Sequence, residues 1–337
     1  MARVLILFGG RSAEHEVSCT SAVAIAAALH DAGYDTVSVG IERNGTWHLA
    51  DESARPWQAA GPLVEFVVPG GMIRSAGGAI DFDVVFPVLH GPFGEDGTIQ
   101  GMFEMAGIPY VGGGVLGSAV AMDKDVAKRL LGVAGIPTNG YEIVRARGFR
   151  ADPSGIAAGI VQRLGLPVFV KPAQLGSSVG VTRAVTAGEV VDGITTALEY
   201  GDKVIVEEAI IGREIEVAVL EGRGASLPGE VMVGGDFYDY HEKYEDGSSD
   251  FAAPADLGSE QISRVRSLAE QAFLALEGRG LARVDFFLET PGRGFLINEV
   301  NTMPGFTPIS GFPKMWQASG LSYPDLCDAL VRLALDT

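Results

Sequence analysis

Cysteine is almost missing from this chain: Cys19 and Cys327 are the only two in 337 residues. They form no CxxC pair, which excludes a disulfide scaffold or a zinc ribbon and fits a reducing compartment. Basic charge is short as well. Lysine plus arginine total 25 against 43 aspartates and glutamates, a net charge of −18. So negative a chain is repelled by phosphate backbones and anionic lipid, so neither nucleic acid nor membrane is expected as a partner. No apolar run approaches the roughly 20 residues that cross a bilayer. The opening apolar stretch, residues 4–8, stops at Gly9-Gly10 and is too short for a signal-peptide core. A soluble cytoplasmic protein is expected. Apolar residues make up 47% and charged residues 20%, which excludes a disordered chain.

The length gives a prior of about two domains and permits three. Strand and helix signals alternate in the first third, the pattern of an open α/β sheet. Residues 3–8 read as a buried strand, with a helix cap at Ser12, an Ala-rich helix over 14–32 and a strand over 35–40. A further strand at 83–89 leads into a polar loop, 90–96. A helix over 97–106 closes at Gly107, and residues 108–111 begin a strand. Gly112-Gly113-Gly114 marks the end of a first unit. Beyond it come a helix over 123–134, strands at 141–145 and 167–171, the small-residue loop 174–180, and a returning strand at 181–185. Strand–loop–strand is a hairpin over a ligand, unlike the strand–loop–helix of a P-loop, whose GxxxxGK[ST] is absent. The last third holds strands at 203–207 and 214–220, a helix over 259–276 and a hairpin over 282–300. The polar stretch 236–256 is long for an unstructured connection and reads as a lid.

That hairpin carries the clearest chemistry. If its turn is symmetric about Gly292, Asp285 lies directly opposite Glu299, and Arg283, Asp285, Glu299 and Asn301 project from one face. Facing carboxylates are destabilising unless neutralised. A divalent cation does that, and two carboxylates with an amide oxygen are a donor set suited to Mg²⁺. The plainer alternative is that Arg283 pairs with one carboxylate on a solvated face.

Mg²⁺ most often accompanies a nucleoside triphosphate. Only six lysines occur against nineteen arginines, and none precedes Lys124. A chain that prefers arginine yet ends the 167–171 strand in Lys171, before a Gly-Ser loop, uses a compact ammonium there for phosphate. For Lys128, Lys203 and Lys314 a solvated side chain stays open as the plainer alternative. Glu207 and Glu208 close another strand and either offer an edge to adenine, with Glu214 for ribose, or are simply solvated.

Together these features resemble the ATP-grasp enzymes, and within them the D-alanine–D-alanine ligases. The motifs run through the whole chain: residues 8–18, 90–97 (HGPFGEDG), Met122-Asp123-Lys124, Val170-Lys171-Pro172 with 176–180, Phe237-Tyr238-Asp239-Tyr240 with Lys243-Tyr244, and 298–305. The resemblance implies an ATP-grasp α/β (α+β) architecture with an N-terminal Rossmann-like domain. Its units would be 1–117, 118–205 and 206–337, the last bearing the lid 236–256. It implies two D-alanines joined through an acyl phosphate, in supply of cell-wall precursor.

By the same resemblance, Asp285 and Glu299 would hold one Mg²⁺, and Glu299 with Asn301 a second. Mn²⁺ is a possible substitute and a monovalent cation a possible activator. Lys124, Lys171 and Lys243 would contact ATP phosphates beneath the loop containing Gly176 and Ser178, and Glu207, Glu208 and Glu214 would line the adenosine pocket. Glu14 would hold the first alanine's ammonium, with His90 near its carboxylate. Arg283 and the Gly305 amide would stabilise the oxyanion, while Ser310 and the Gly311 amide would take the second alanine's carboxylate. Ser177 and Tyr244 would latch the lid to Glu14. Gly311 stands where the resemblance leads one to expect a bulkier residue. A homodimer is the family expectation. A D-alanine–D-lactate ligase and a non-catalytic nucleotide-binding protein are the alternatives. A nicotinamide-dependent dehydrogenase is excluded, because GxGxxG is absent and Glu14 follows the strand too soon to bind ribose.

Overall fold

The structure, a computed structural model, describes residues 2–67, 71–232 and 250–336. Its first sheet runs in the order Trp47–Leu49, Asp35–Ile41, Arg3–Gly9, Val84–Pro87. Arg3–Gly9 is parallel to both neighbours, and the helix His15–Asp31 makes the crossover. Val4, Ile6 and Phe8 pack on that helix, while Leu5 and Leu7 face a second core on the opposite side, so the strand is buried on both faces.

Two readings of this unit change. The helix is capped at Glu14, not Ser12, because the Ser12 hydroxyl donates to the His90 carbonyl (2.7 Å) and accepts from the Glu14 amide (3.2 Å). Residues 108–111 form only a bridge between Tyr110 and Val85. Pro109 has no N–H to extend that ladder, and glycines follow at once. A three-stranded sheet, Val64–Val67, Met72–Ser75 and Gly78–Ile80, carries no strong periodicity and was not legible.

The second sheet is antiparallel throughout, in the order Thr182–Ala184, Val168–Pro172, Lys203–Glu208, Tyr141–Arg145. Alternation divides its faces. Val168, Val170, Val204 and Val206 pack under the helices Pro153–Leu164 and Ala187–Ala197. Lys171, Lys203 and Glu207 fall on the other face. The expected division at 205/206 lies inside the strand Lys203–Glu208.

The large sheet runs Asp250–Ala252, Gly229–Met232, Arg213–Leu220, Leu281–Glu289, Gly294–Asn301, with Gly224–Ala225 paired to the end of Arg213–Leu220. The end of the expected lid is therefore sheet at Asp250–Ala252. One face lies under the helix Ser259–Ala275, where Ile215, Val217, Val284 and Phe286 are buried; Ala127 and Leu131 of the helix Lys124–Val133 join this core. The helix Val115–Met122, absent from the sequence reading, leads directly into it. The opposite face begins with the acidic residues Glu214 and Glu216. It continues through Ala218 and Leu220 into a core shared with the helices Gly311–Ala318, Tyr323–Leu335 and His15–Asp31.

Lys203 and Lys128 are not solvated. Lys203 is 6% exposed and its ammonium bonds both Asp123 carboxylate oxygens, with Asp125 at 3.2 Å. Asp123 caps the helix Lys124–Val133 by accepting from the Val126 amide at 3.2 Å, and it also accepts from Gln174 at 2.8 Å. Burial alone would raise the Asp123 pKa, but the Lys203 ammonium beside it holds it below the usual value. The network ties the second sheet to the start of a helix in the large-sheet core. Replacing Lys203 with Met leaves buried carboxylates short of a cation, a change that costs about 3 kcal/mol or more. The urea midpoint of Lys203→Met should fall accordingly, and an unchanged midpoint would show that the pair is energetically idle.

Candidate active site

Asp285 does face Glu299, and Arg283 faces Asn301. The symmetric turn is not the reason. Beyond Asp285 the register shifts, with Phe286 opposite Ile297 and Glu289 opposite Gly294. A four-residue turn offset by half a residue from Gly292 is compensated by a bulge at Asn298, and the two departures cancel at the carboxylates. Bulges re-aim side chains, and here Asn298 Oδ1 accepts from Lys171 Nζ at 3.5 Å.

The carboxylates are held by the chain's own cations. Arg283 donates to both oxygens of Asp285 at 2.7 Å, and Asn301 Nδ2 donates to Oδ2 at 2.9 Å. The pairing of Arg283 with one carboxylate thus exists, but it leaves Glu299 to Lys124, whose ammonium lies 3.2 Å away. Lys124 Nζ also donates to the Leu175 carbonyl at 2.8 Å, anchoring the small-residue loop.

Beneath this row lies a buried triad. Glu207, 1% exposed, takes Lys128 Nζ at 2.8 Å and Lys171 Nζ at 2.6 Å on its two oxygens. Lys128 also donates to Asn139 Oδ1 at 2.5 Å. Burial would push the Glu207 carboxyl up, yet Lys128 and Lys171 bring it down to about 2. The lysines diverge. Burial depresses Lys128 despite Glu207. For Lys171, burial is outweighed by Glu207, Glu299 and Glu214, and its pKa rises. The Glu207 side chain thus supports the lysines. Glu208 is not simply solvated either: it accepts from Arg293 at 2.6 Å and from the Gly140 amide at 2.5 Å, and its own N–H donates to Gly140. Glu214, half-buried and opposite Phe287, adds its charge to the field at Lys171.

At the other end, Glu14, Gly91, Glu95, Lys124, Gly176, Ser177, Glu299 and Asn301 line one cleft. A Cβ on Gly91 would lie 2.6 Å from Glu14 Oε2, and the left-handed φ of 73° there favours glycine in any case. Ser177 and Ser178 take left-handed φ values of 50° and 55°, turning the loop over the cleft. Ser177 Oγ is buried with no hydrogen-bond partner among the described residues. His90, 3% exposed, is bonded through Nδ1 to the Met303 carbonyl at 2.9 Å, and burial lowers its pKa. Glu95 was missed by the sequence reading, although it lies inside the 90–97 motif. It accepts from the Gly91 amide at 2.7 Å and the Met303 amide at 3.4 Å, and burial, then the Glu14 charge, pushes its carboxyl up to about 8.

Gly305, Ser310 and Gly311 form a second group. Ser310 caps the helix Gly311–Ala318, and its hydroxyl bonds Thr307 Oγ1 at 2.7 Å and accepts from the Thr307 amide at 3.1 Å. A Cβ on Gly305 would come within 3.1 Å of Ser310 Oγ. The amides opening that helix suit a carboxylate. Lys243 and Tyr244, with the Phe237–Tyr240 motif and most of the lid, lie outside the described residues.

The donor set fits a hard divalent cation. Asp285 faces Glu299, the Asn301 amide reaches Asp285 through Nδ2, and Arg283 and Lys124 balance the two carboxylates. No cluster of three or more histidine, cysteine or acidic ligands occurs among the described residues, so such a cation depends on the amide and on oxygens from outside the chain.

The triad sets a pH dependence. A carboxyl held at about 2 against an ordinary 4.5 stabilises the fold fully above pH 4.5 and loses that contribution as pH falls toward 2. The shift is worth on the order of 3 kcal/mol. The urea midpoint of Glu207→Gln should therefore fall at neutral pH, and its gap from wild type should narrow as pH drops below 4.5. A gap independent of pH would mean that Glu207 acts by shape alone.

Comparison with known proteins gives the family. Residues 3–113 match the family described as D-ala D-ala ligase N-terminus, and residues 130–332 match D-ala D-ala ligase C-terminus. A D-alanine--D-alanine ligase of Pseudarthrobacter chlorophenolicus is 45% identical over 99% of this chain and 94% of its own length. Among solved structures, the D-alanine-D-alanine ligase of Coxiella burnetii is 34% identical with a TM-score of 0.86, covering 100% of this chain and 96% of that one. The VanG D-Ala:D-Ser ligase of Enterococcus faecalis is 36% identical with a TM-score of 0.85, covering 99% of both. With both family regions matched along nearly its whole length, and an ATP-grasp fold shared with these structures, the chain belongs to the D-alanine–D-alanine ligase family.

Proposed function

We propose that the chain joins two D-alanines into D-alanyl-D-alanine at the expense of ATP, supplying precursor for cell-wall peptidoglycan. One observation carries this reading. A single cleft unites Glu14, the Gly176–Ser177 turn, Lys124, Glu299 and Asn301, drawn from four separate stretches of chain. That is an ammonium acceptor, a phosphate cover, a phosphate cation and metal ligands within one space.

The ammonium of the first alanine rests on Glu14, and His90, fixed by Met303, borders its carboxylate. That carboxylate attacks the γ-phosphate of ATP, releasing ADP and leaving an acyl phosphate. The amine of the second alanine then attacks the acyl carbon, phosphate departs, and the ammonium proton is released. Lys124, Lys171 and Lys243 neutralise the phosphates, and the loop with Gly176 and Ser178 closes over them. Glu207, Glu208 and Glu214 border the adenosine. Arg283 and the Gly305 amide face the oxyanion that forms in the second step. Ser310 and the Gly311 amide receive the second carboxylate. Ser177 and Tyr244 close against Glu14, and closure matters because an acyl phosphate is lost if water reaches it.

Asp285 with Glu299, and Glu299 with Asn301, would hold two Mg²⁺ ions, or Mn²⁺ in their place, supplying Lewis-acid neutralisation of the phosphate charge. The relatives' names do not favour the D-lactate alternative. We further place the protein in the cytoplasm as a homodimer. Its three units divide near residue 117 and, keeping the strand Lys203–Glu208 whole, after Glu208. Among the described residues, no helix is long and apolar enough to cross a membrane.

Incubation with Mg²⁺, ATP and D-alanine should give the dipeptide, identified by mass, with one phosphate released per bond. D-lactate should not replace the second alanine at neutral pH. Glu299→Gln should reduce turnover by about three orders of magnitude, since the loss falls on charge neutralisation in the transition state. Near-normal synthesis by that variant would overturn the metal assignment.

A further inference from the structure

Glycine at position 311 is explained by a neighbour that the sequence reading did not single out. A Cβ built there would lie 2.4 Å from Glu216 Oε2 and 3.0 Å from the Phe251 ring. The backbone at Gly311 is not left-handed, so the demand is for space and not for conformation. Glu216 therefore lays its carboxylate against the bare α-carbon of the residue whose amide opens the helix Gly311–Ala318.

The same carboxylate reaches the other half of the site. Glu216 stands opposite Asp285 across the strand pair, and Arg283 stands opposite Ala218. Arg283 Nε lies 3.4 Å from Glu216 Oε1 and 2.7 Å from Asp285 Oδ1, so the guanidinium is suspended between two carboxylates. Asp285 belongs to the metal donor set. Glu216 is not part of that set, and its carboxylate lies beside Arg283 on the neighbouring strand.

We propose that Glu216 is the positioning residue for Arg283, holding the guanidinium toward the Gly305–Gly311 segment, and that glycine at 311 is what gives its carboxylate room. The inference rests on the ligase reading for what Arg283 then does. Charge loss at Glu216 removes the pull that opposes Asp285, which already holds the guanidinium through both oxygens. A side chain at 311 has the same effect by displacing the Glu216 carboxylate, the mobile partner in that clash. The two substitutions thus act on one interaction and cannot be additive.

The test uses the full chain with Glu216→Gln, Glu216→Ala, Gly311→Ala and the double variant Glu216→Ala/Gly311→Ala. At saturating Mg²⁺, Glu216→Gln should lower kcat for dipeptide synthesis about tenfold or more while the KM for ATP moves less than about twofold, because the oxyanion forms after ATP is consumed. Gly311→Ala should cause a comparable loss. Added to Glu216→Ala, it should cost less than about twofold more, since only the Phe251 contact remains to adjust. Independently of activity, the Nε–H resonance of Arg283, assigned by its absence in Arg283→Lys, should exchange faster in Glu216→Gln and in Gly311→Ala than in wild type. Multiplicative losses in the double variant, or an unchanged resonance in Glu216→Gln, would overturn the proposal. If the wild type makes no dipeptide while the resonance still depends on Glu216, the ligase reading fails and the positioning assignment stands.

Discussion

Crowded negative charge on one face of the large sheet is the constraint from which the rest of the site follows. Glu216, Asp285 and Glu299 stand in register on three successive strands, each directly opposite the next. Side chains so placed repel one another, and half-burial denies them the screening that water would give. The fold answers with cations carried in from elsewhere: Arg283 along the same strand, and Lys124 from the first residue of a helix. Lys171, from the second sheet, joins through Asn298. A face that must gather ammonium groups from separate elements forces those elements together, so the sheets converge where the charge is. A divalent ion held on the same face, as proposed, would replace pairings that already balance it.

Two buried ion clusters beneath that face have opposite stoichiometry. Around Lys203, one ammonium serves two carboxylates, Asp123 and Asp125. Around Glu207, one carboxylate serves two ammoniums, Lys128 and Lys171. The first is completed by Arg129, 3.0 Å from Asp125, and Asp123 also accepts from an amide opening the helix Lys124–Val133, where its charge favours the helix dipole. The second has surplus positive charge at the cleft side, where Lys171 keeps its proton more firmly than an ordinary lysine while Lys128 holds its own less firmly. Buried pairs seldom add net stability over a packed apolar core. Their use here is to fix where each charge sits, one cluster locating Lys124 and the other keeping Lys171 charged.

Much of this was legible in the chain because it depends on short-range rules. Period-two alternation and one turn put Asp285 against Glu299, and the scarcity of lysine marked Lys171. Even there the premise failed: a bulge at Asn298 offset an asymmetric turn, and neither leaves a mark in composition. The same scarcity argument applied to Lys128 and Lys203, but their carboxylate partners lie 80 or so positions away and come into reach only when sheet and helix pack. Glu216 was readable as an acidic residue two positions from Glu214, hence on the same face. Its importance was not, since it arises from a contact with Gly311 across the core. Ser12 was read as a cap because that role is local, whereas the hydroxyl is committed to a carbonyl at the far end of the unit.

That commitment couples the two halves of the site. Ser12 fixes the His90 carbonyl, and the His90 ring fixes the Met303 carbonyl. Glu95 accepts from the Met303 amide, so the peptide groups on both sides of this residue are gripped from the N-terminal unit. Met303 lies between Asn301, at the end of the carboxylate hairpin, and Gly305. The path from Asn301 to Gly305 is therefore held by the loop that borders Glu14. With its carboxyl pushed up to about 8, Glu95 is mostly neutral at physiological pH and spares Glu14 a second full charge beside it.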